Sequence, residues 1–264
     1  MQPIQNVDIR VEGNILWLKI GIPTELHYSY KTICDFNSSL VAIENKIKAQ
    51  KISHVIIVSN NKVWNMGGDL EMFCQCITAK NRALLQDYAY KCVEGVHAIN
   101  NGFFSNVIVT CVVQGNAFGG GFECALAGNY IVAEEQAMFS FPEILFSTFP
   151  GMGAYSFLTR KTGYSKARDM ISSTTKWTAA TLQEYGLVHY VCKQGSGIET
   201  VLQKIADNEL LPKDEFAGIC TNVSLKELKD VVDIWLDNVL ALPPSKINFM
   251  MKLVEAQKYK ALKD

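Results

Sequence analysis

Between Val112 and Gly153 the chain reads VVQGNAFGGGFECALAGNYIVAEEQAMFSFPEILFSTFPGMG, and no other stretch restricts the fold so strongly. A continuous apolar run, Asn106 to Val113, gives way to Gly119-Gly120-Gly121 and then to a short helical pattern from about Gly120 to Ala127. An apolar run without polar alternation suits a strand covered on both faces, the usual state of a parallel sheet. The same order occurs upstream. His54 to Ser59 (HVIIVS) is a second such strand; after the polar loop Asn60-Asn61-Lys62, VWNMGGDLEMF leads Gly67-Gly68 into a helix whose first turn carries Asp69 and Glu71. Acids in a first turn complement the helix dipole. Two strand–glycine–helix passages point to an α/β body.

Each glycine site has two readings. It is a tight turn in a packed fold, or a place where backbone approaches a ligand and a helix start offers unpaired N–H groups. Two N–H groups converging from separate loops would form an oxyanion hole. Neither site is a nucleotide fingerprint, since GNAFGGGF lacks both G-x-G-x-x-G and the P-loop lysine.

Glu123 follows the triplet, and Glu143 follows Pro142 within the apolar SFPEILF. A carboxylate away from water is costly unless partnered or neutralised. Taken singly, Glu123 could cap its helix and Glu143 could be an exposed helix-start residue. Taken together, beside a glycine loop, a carboxylate pair suits general acid–base work.

The flanking chain supports the α/β reading. Val7 to Ile20 reads as a hairpin turning at Gly13-Asn14, and Tyr30 to about Gln50 and Asn81 to Asn101 have helical spacing. Asn129 to Ala133, Met138 to Phe141 and Val188 to Cys192 read as short strands. Gly151 to Thr162 and Lys166 to Ser173 read as helical, and Thr178 caps a further helix that Gly186 closes. From this pattern residues 1–195 form an α/β core and residues 196–264 a helical region, with amphipathic segments at Ser224 to Leu240 and Ser245 to Leu262. The Pro243-Pro244 pair between them suggests a terminal helix that packs on another subunit.

With 264 residues, 48% of them hydrophobic, the chain can bury a sizeable core without disulfides or metals. A net charge of −1 gives no global field toward nucleic acid or anionic membranes. No apolar run is long enough for a membrane helix, and the polar N-terminus does not read as a signal peptide, so a cytoplasmic location is expected. The eight cysteines are scattered and read as reduced, mostly buried small hydrophobes. Cys74 and Cys76 form a C-x-C without a second pair or a histidine cluster, so no metal site is expected. No nucleophile motif stands out. Lys252, Lys258, Lys260 and Lys263 read as a solvated helix face, or as a patch for phosphates or an acidic carrier.

WNMGGDLEMF, GNAFGGGFECAL and FPGMG give the chain, over nearly its whole length, a resemblance to the crotonase (enoyl-CoA hydratase/isomerase) superfamily. The resemblance implies a crotonase-like spiral of repeated strand–strand–helix units with a C-terminal helical region used for trimerisation, as a homotrimer or a dimer of trimers. It implies that Gly68 N–H and Gly120 N–H hold a thioester oxygen and that Glu123 and Glu143 are the catalytic acids, with no cofactor. PEILFSTFPGMGAYSFL, DYAYKCVEGVHAI and DIWLDNVL are similar, more narrowly, to diffusible signal factor synthases. That likeness implies dehydration of 3-hydroxyacyl chains on acyl carrier protein or CoA, with thioester hydrolysis releasing a cis-2-unsaturated fatty acid. It places Met152, Trp235 and Leu253 in an acyl pocket, with Phe118 where relatives often carry leucine. Two alternatives stand beside it: a plain enoyl-CoA hydratase, or carrier-bound polyketide or fatty-acyl dehydratase, without hydrolysis; and a non-catalytic subunit that binds acyl thioesters or a partner.

Overall fold

The computed structural model describes residues 6–59 and 63–261. Strands β1 (Val7–Glu12) and β2 (Ile15–Ile20) form the antiparallel hairpin, turned by Gly13 at φ 59°. From β2 onward the sheet is parallel. Strands β3 (His54–Val58), β4 (Ile108–Val113), β6 (Tyr130–Glu134) and β9 (Tyr190–Cys192) follow in the order β1-β2-β3-β4-β6-β9. Every residue of β3 and β4 is buried, as their unbroken apolar character requires.

Side-chain alternation divides the core. Leu16, Leu18, Val55, Ile57, Val109 and Cys111 belong to the larger cluster, with residues of α1 (Tyr30–Gln50) and α3 (Arg82–Asn100). Trp17, Ile56, Val58, Val112 and Val132 belong to a second cluster with Val201 of α8 (Gly197–Ala206). Fully burying one such side chain contributes about 1.5–3 kcal/mol, which makes these runs the main anchors of the sheet.

A second, three-stranded sheet orders β5 (Ala117–Phe118), β7 (Met138–Ser140) and β8 (Trp177–Thr178). It reveals the repeat. Strand β4 passes to β5 and then to α4 (Gly120–Ala127), while β6 passes to β7 and then, through a 3-10 turn at Pro142–Phe146, to α5 (Ala154–Thr162). Strand β3 reaches the small sheet by one parallel bridge, Asn65 to Ala117, before α2 (Leu70–Thr78). The expected succession of strand, strand and helix is therefore present.

One boundary is corrected. Helical backbone does not begin at Gly151 but at Ala154, because Gly153 sits at φ 121°, outside the right-handed helical region. Helices α6 (Tyr164–Ile171) and α7 (Ala179–Glu184) follow, with Thr178 Oγ1 capping α7 by accepting from Thr181 N–H at 3.1 Å.

The C-terminal region contains α8, α9 (Glu215–Cys220), α10 (Leu225–Leu240) and α11 (Pro244–Ala261). Helix α10 packs along α3, with Lys229–Glu94 and Arg82–Asp237 ion pairs of 2.7 and 2.6 Å between them. The segment after Pro243 also packs within its own chain. Helix α11 packs against α2 and the 3-10 turn, and Met250 and Val254 are buried there while Ile247, Met251 and Leu253 pack on the core. Lys252 is exposed on α11, and Lys263 and the Asn60–Lys62 loop lie outside the described residues. Among the described residues no helix is long and apolar enough to cross a membrane, and no three His, Cys, Asp or Glu side chains gather as a metal site. All eight cysteines are free thiols, five of them buried.

Candidate active site

The small sheet brings the site together by register. Asn65, Ala117 and Phe139 lie side by side in parallel pairing, and each chain then leaves the sheet in the same direction. From Asn65 it enters Gly67-Gly68, from Ala117 it enters Gly119-Gly120, and from Phe139 it reaches Pro142-Glu143. Cross-links fix the three exits. Phe118 N–H donates to Asn65 O at 2.9 Å, and Gly119 N–H donates to Ser140 O at 2.9 Å.

Both glycine loops need their glycines. Gly67 has φ 102°, and a Cβ there would stand 3.2 Å from Phe118 O and 3.3 Å from Gly120 N, so the loops abut backbone to backbone. Gly67 N–H donates to Asn65 Oδ1 at 2.7 Å, holding the first loop's turn. Gly119 has φ 51°, and a Cβ there would fall on Glu143 Oε1. Among the described residues, neither Gly68 N–H nor Gly120 N–H donates to a protein acceptor. Gly120 is the first residue of α4, where an N–H has no intrahelical partner. Asp69 caps α2 by accepting from Met72 N–H at 3.0 Å.

Glu123 is buried on α4, at 1% exposure. It does not cap its own helix. Its Oε1 accepts from Met152 N–H at 2.7 Å and from Ala154 N–H at 2.9 Å, which ties it to the start of α5. Burial pushes its carboxyl up to about 7, and the backbone N–H groups of Ala154, Met152 and Gly153 restrain the rise. Glu143 follows Pro142 in the 3-10 turn. The residue is partly exposed, yet its Oε2 is buried without a hydrogen-bond partner. Burial, and then the charge on Glu123, push its carboxyl up to about 8. The pair thus favours a state with one proton, because burial raises both carboxyls and the charge on Glu123 opposes ionisation of Glu143.

Gly68, Gly120, Glu123, Glu143, Met152 and Trp235 line one cavity of about 50 Å³. Phe118 and Leu253 line an adjoining groove of about 510 Å³, which shares Gly68, Glu143 and Trp235 with the cavity. All eight residues singled out in the sequence therefore meet in one continuous space, with Phe118 and Leu253 outermost. Trp235 of α10 forms one wall: a Cβ on Gly151 would stand 3.0 Å from its Cγ, and its ring lies edge-on to Phe73 at 5.4 Å.

Sequence reasoning did not single out Asn65, Phe73, Tyr88 or Cys92. Tyr88 OH donates to Tyr28 O at 2.6 Å, and its ring packs edge-on to Phe73 at 5.4 Å, backing the first glycine loop. Phe73 lies in the quoted WNMGGDLEMF, so a signal was present; Tyr88 and Cys92 look like ordinary core positions on α3. Lys176 was also missed. It lines the outer groove with its ammonium 5.6 Å from the Phe118 ring centroid.

Against this geometry, the family described as enoyl-CoA hydratase/isomerase matches residues 11–213. The chain belongs to that family. A mitochondrial enoyl-CoA hydratase from Pongo abelii is 40% identical over 103 residues, 38% of this chain and 36% of the relative. In four such curated relatives the matched region spans between 24% and 64% of the relative's length. Among solved structures, an enoyl-CoA hydratase from Bacillus halodurans shares the fold with a TM-score of 0.78 at 18% identity, covering 94% of this chain and 99% of that one. Pseudomonas aeruginosa DspI has a TM-score of 0.67 at 19% identity, covering 100% of this chain and 98% of its own. At these identities the structures establish the crotonase fold of the enoyl-CoA hydratase/isomerase family for this chain, and no more.

Proposed function

We propose that this protein removes water from 3-hydroxyacyl thioesters to give 2-enoyl thioesters, and catalyses the reverse hydration. The observation that carries the reading is one apolar cavity containing two unpaired backbone N–H groups and two buried carboxyls with raised proton affinity. Family membership and the hydratases among its relatives support the same reaction class.

In this scheme Gly68 N–H and Gly120 N–H hold the thioester oxygen as it gains enolate charge. Loss of one such donor typically costs about 10²–10³ in rate. For dehydration, one glutamate takes the α-proton while the other gives a proton to the departing 3-hydroxyl. Hydration is the reverse. Either direction needs a pair that carries a single proton, which is the state that burial and mutual repulsion favour here.

The finer part of the proposal is a second step. A glutamate activates water against the same polarised carbonyl, and a free 2-unsaturated acid of cis geometry leaves as a signal molecule. The narrower sequence likeness supports this step, and CoA and acyl carrier protein are both candidate carriers. The natural assembly proposed is a trimer or a dimer of trimers. The test offers 3-hydroxyacyl-CoA and 3-hydroxyacyl-carrier protein separately and reads products by mass spectrometry. Release of free unsaturated acid supports both steps. A retained 2-enoyl thioester removes the hydrolytic step and leaves a hydratase, whereas intact substrate after prolonged incubation with bound protein overturns both.

A further inference from the structure

The opposite end of the sheet holds a cleft that the proposed chemistry does not use. Its volume is about 420 Å³, within the range of small-molecule sites, and its wall is mostly polar. Asn100, Asn101, Asn106, Asn129, Asn222 and Lys213 line it. Ile108, the first residue of β4, lines it too, whereas the second glycine loop of the active site lies beyond Val113, the last. The length of β4, roughly 17 Å at 3.3 Å per residue, therefore separates the two sites.

The turn between α3 and β4 builds one wall. Asn100 ends α3, and Gly102 at φ 55° and Asn106 at φ 53° reverse the chain into the strand. A Cβ on Gly102 would stand 2.6 Å from Val107 O, so the turn has no room for a side chain there. Asn100 donates to Ala127 O at 3.2 Å, and its Oδ1 is buried without a partner. Asn129 Oδ1 accepts from Val109 N–H at 2.7 Å, which leaves its amide nitrogen for another acceptor. Asn222 ties the far wall to α5, since its backbone oxygen accepts from Arg160 Nε at 3.1 Å.

The cations here decide the class of ligand. Arg160 is matched by Glu227 at 2.8 Å. Lys161, the next residue of α5, and Lys213 are half-buried, and among the described residues neither forms an ion pair or a side-chain hydrogen bond. The two are close enough to repel. Burial and then the Lys213 charge push the Lys161 ammonium down to about 8, and burial lowers Lys213 as well. His189 and Cys111, which adjoin Lys161, offer no offsetting charge, because burial keeps both neutral. Asp214 and Glu215 also line the cleft, but both are exposed and neither is ion-paired with these lysines.

Two uncompensated ammonium groups suit a dianion better than a single carboxylate. A phosphate dianion has only acceptors, however, and Asn100 Oδ1 requires a donor. A hydroxyl supplies one, and asparagine amides pair with hydroxyls as donors and as acceptors. We propose that this cleft is a second binding site, for a small phosphate ester with a hydroxyl-bearing body, whose phosphate lies between Lys161 and Lys213 and whose hydroxyls meet the asparagines.

The test is calorimetry on the full chain at constant ionic strength, with ribose 5-phosphate, inorganic phosphate and ribose as separate probes. Ribose 5-phosphate should bind once per chain and more tightly than either of the others. Lys213→Gln and Lys161→Gln should each weaken it about tenfold or more, the scale of a charge-assisted hydrogen bond. Lys176→Gln, in the active-site groove, should not. A saturating non-hydrolysable acyl-CoA thioether should leave ribose 5-phosphate bound. Absence of binding, unchanged affinity in Lys213→Gln, displacement by the thioether, or inorganic phosphate binding as tightly as the ester would each overturn the proposal. Lys213 lies between α8 and α9, outside both helices, so its variant remains decisive if Lys161→Gln does not fold.

Discussion

The Glu143 carboxyl occupies the position that a side chain on Gly119 would fill, because a Cβ built there falls on Glu143 Oε1. Gly119 also has φ 51°, a conformation glycine adopts without strain. Gly119→Ala should therefore push Glu143 out of the cavity. We expect kcat to fall by about 10²-fold or more, the scale of losing a general acid–base group. Circular dichroism should confirm the fold, and wild-type turnover in a folded variant would refute the relationship.

Glu123→Gln and Glu143→Gln should each lower dehydration by about 10²–10⁴-fold. The two should be far from additive, since one proton passes between groups that act as a unit. Steady-state rates for both single variants and the double variant test this. Independent, multiplicative losses would contradict a coupled pair.

The pH dependence follows from the carboxyls' raised proton affinity. Glu123 at about 7 and Glu143 at about 8 leave the pair singly protonated only near neutrality. The kcat/KM profile should be bell-shaped, falling on the acid side as both are protonated and on the alkaline side as both ionise. A profile flat across both limbs would rule out the pair as the proton carriers.

Stability should change with the opposite sense to that of an ion-paired acid. Both folded values lie above the ordinary 4.5, so the folded state binds extra protons between 4.5 and about 7–8. Stability contributed by these groups therefore falls as pH rises through that window. Glu143→Gln cannot ionise, so its Tm advantage over wild type should grow from about pH 5 to about pH 8.5. Thermal denaturation at the two pH values checks this, and a shrinking advantage would show that Glu143 is not held neutral.

Asn65 is a positioning residue for the first glycine loop, through the 2.7 Å bond its Oδ1 accepts from Gly67 N–H. Asn65→Ala should lower kcat about tenfold or more with a smaller change in KM, because a misaimed donor is felt most in the transition state. Asn65→Asp retains an acceptor and should recover part of the rate. Equal loss in both variants would point to a purely structural role.

The sequence carried the long elements and both glycine loops well. Continuous apolar runs located β3 and β4, and glycine next to acidic helix starts located the loops that meet in the cavity. It carried less of what joins them. Strands β5 and β8 are two residues each, too short for any periodicity, yet β5 sets the register that aligns Asn65, Gly119 and Glu143. The second partner of Glu123 was also hidden, because Ala154 N–H is a backbone donor with no residue-type signature. Cys92 looked like a core residue because that is how it packs in α3; only its place in the cavity wall marks it out.

The central claim, that this site moves water across the α,β bond of an acyl thioester, is tested most directly by incubating the purified protein with a 2-enoyl-CoA in isotopically labelled water and following the thioester by mass spectrometry. The account predicts gain of one labelled water in the wild type, and almost none in Glu123→Gln or Glu143→Gln at equal protein concentration. A wild-type protein that binds the thioester, by calorimetry, and yet exchanges no water with it would contradict the account.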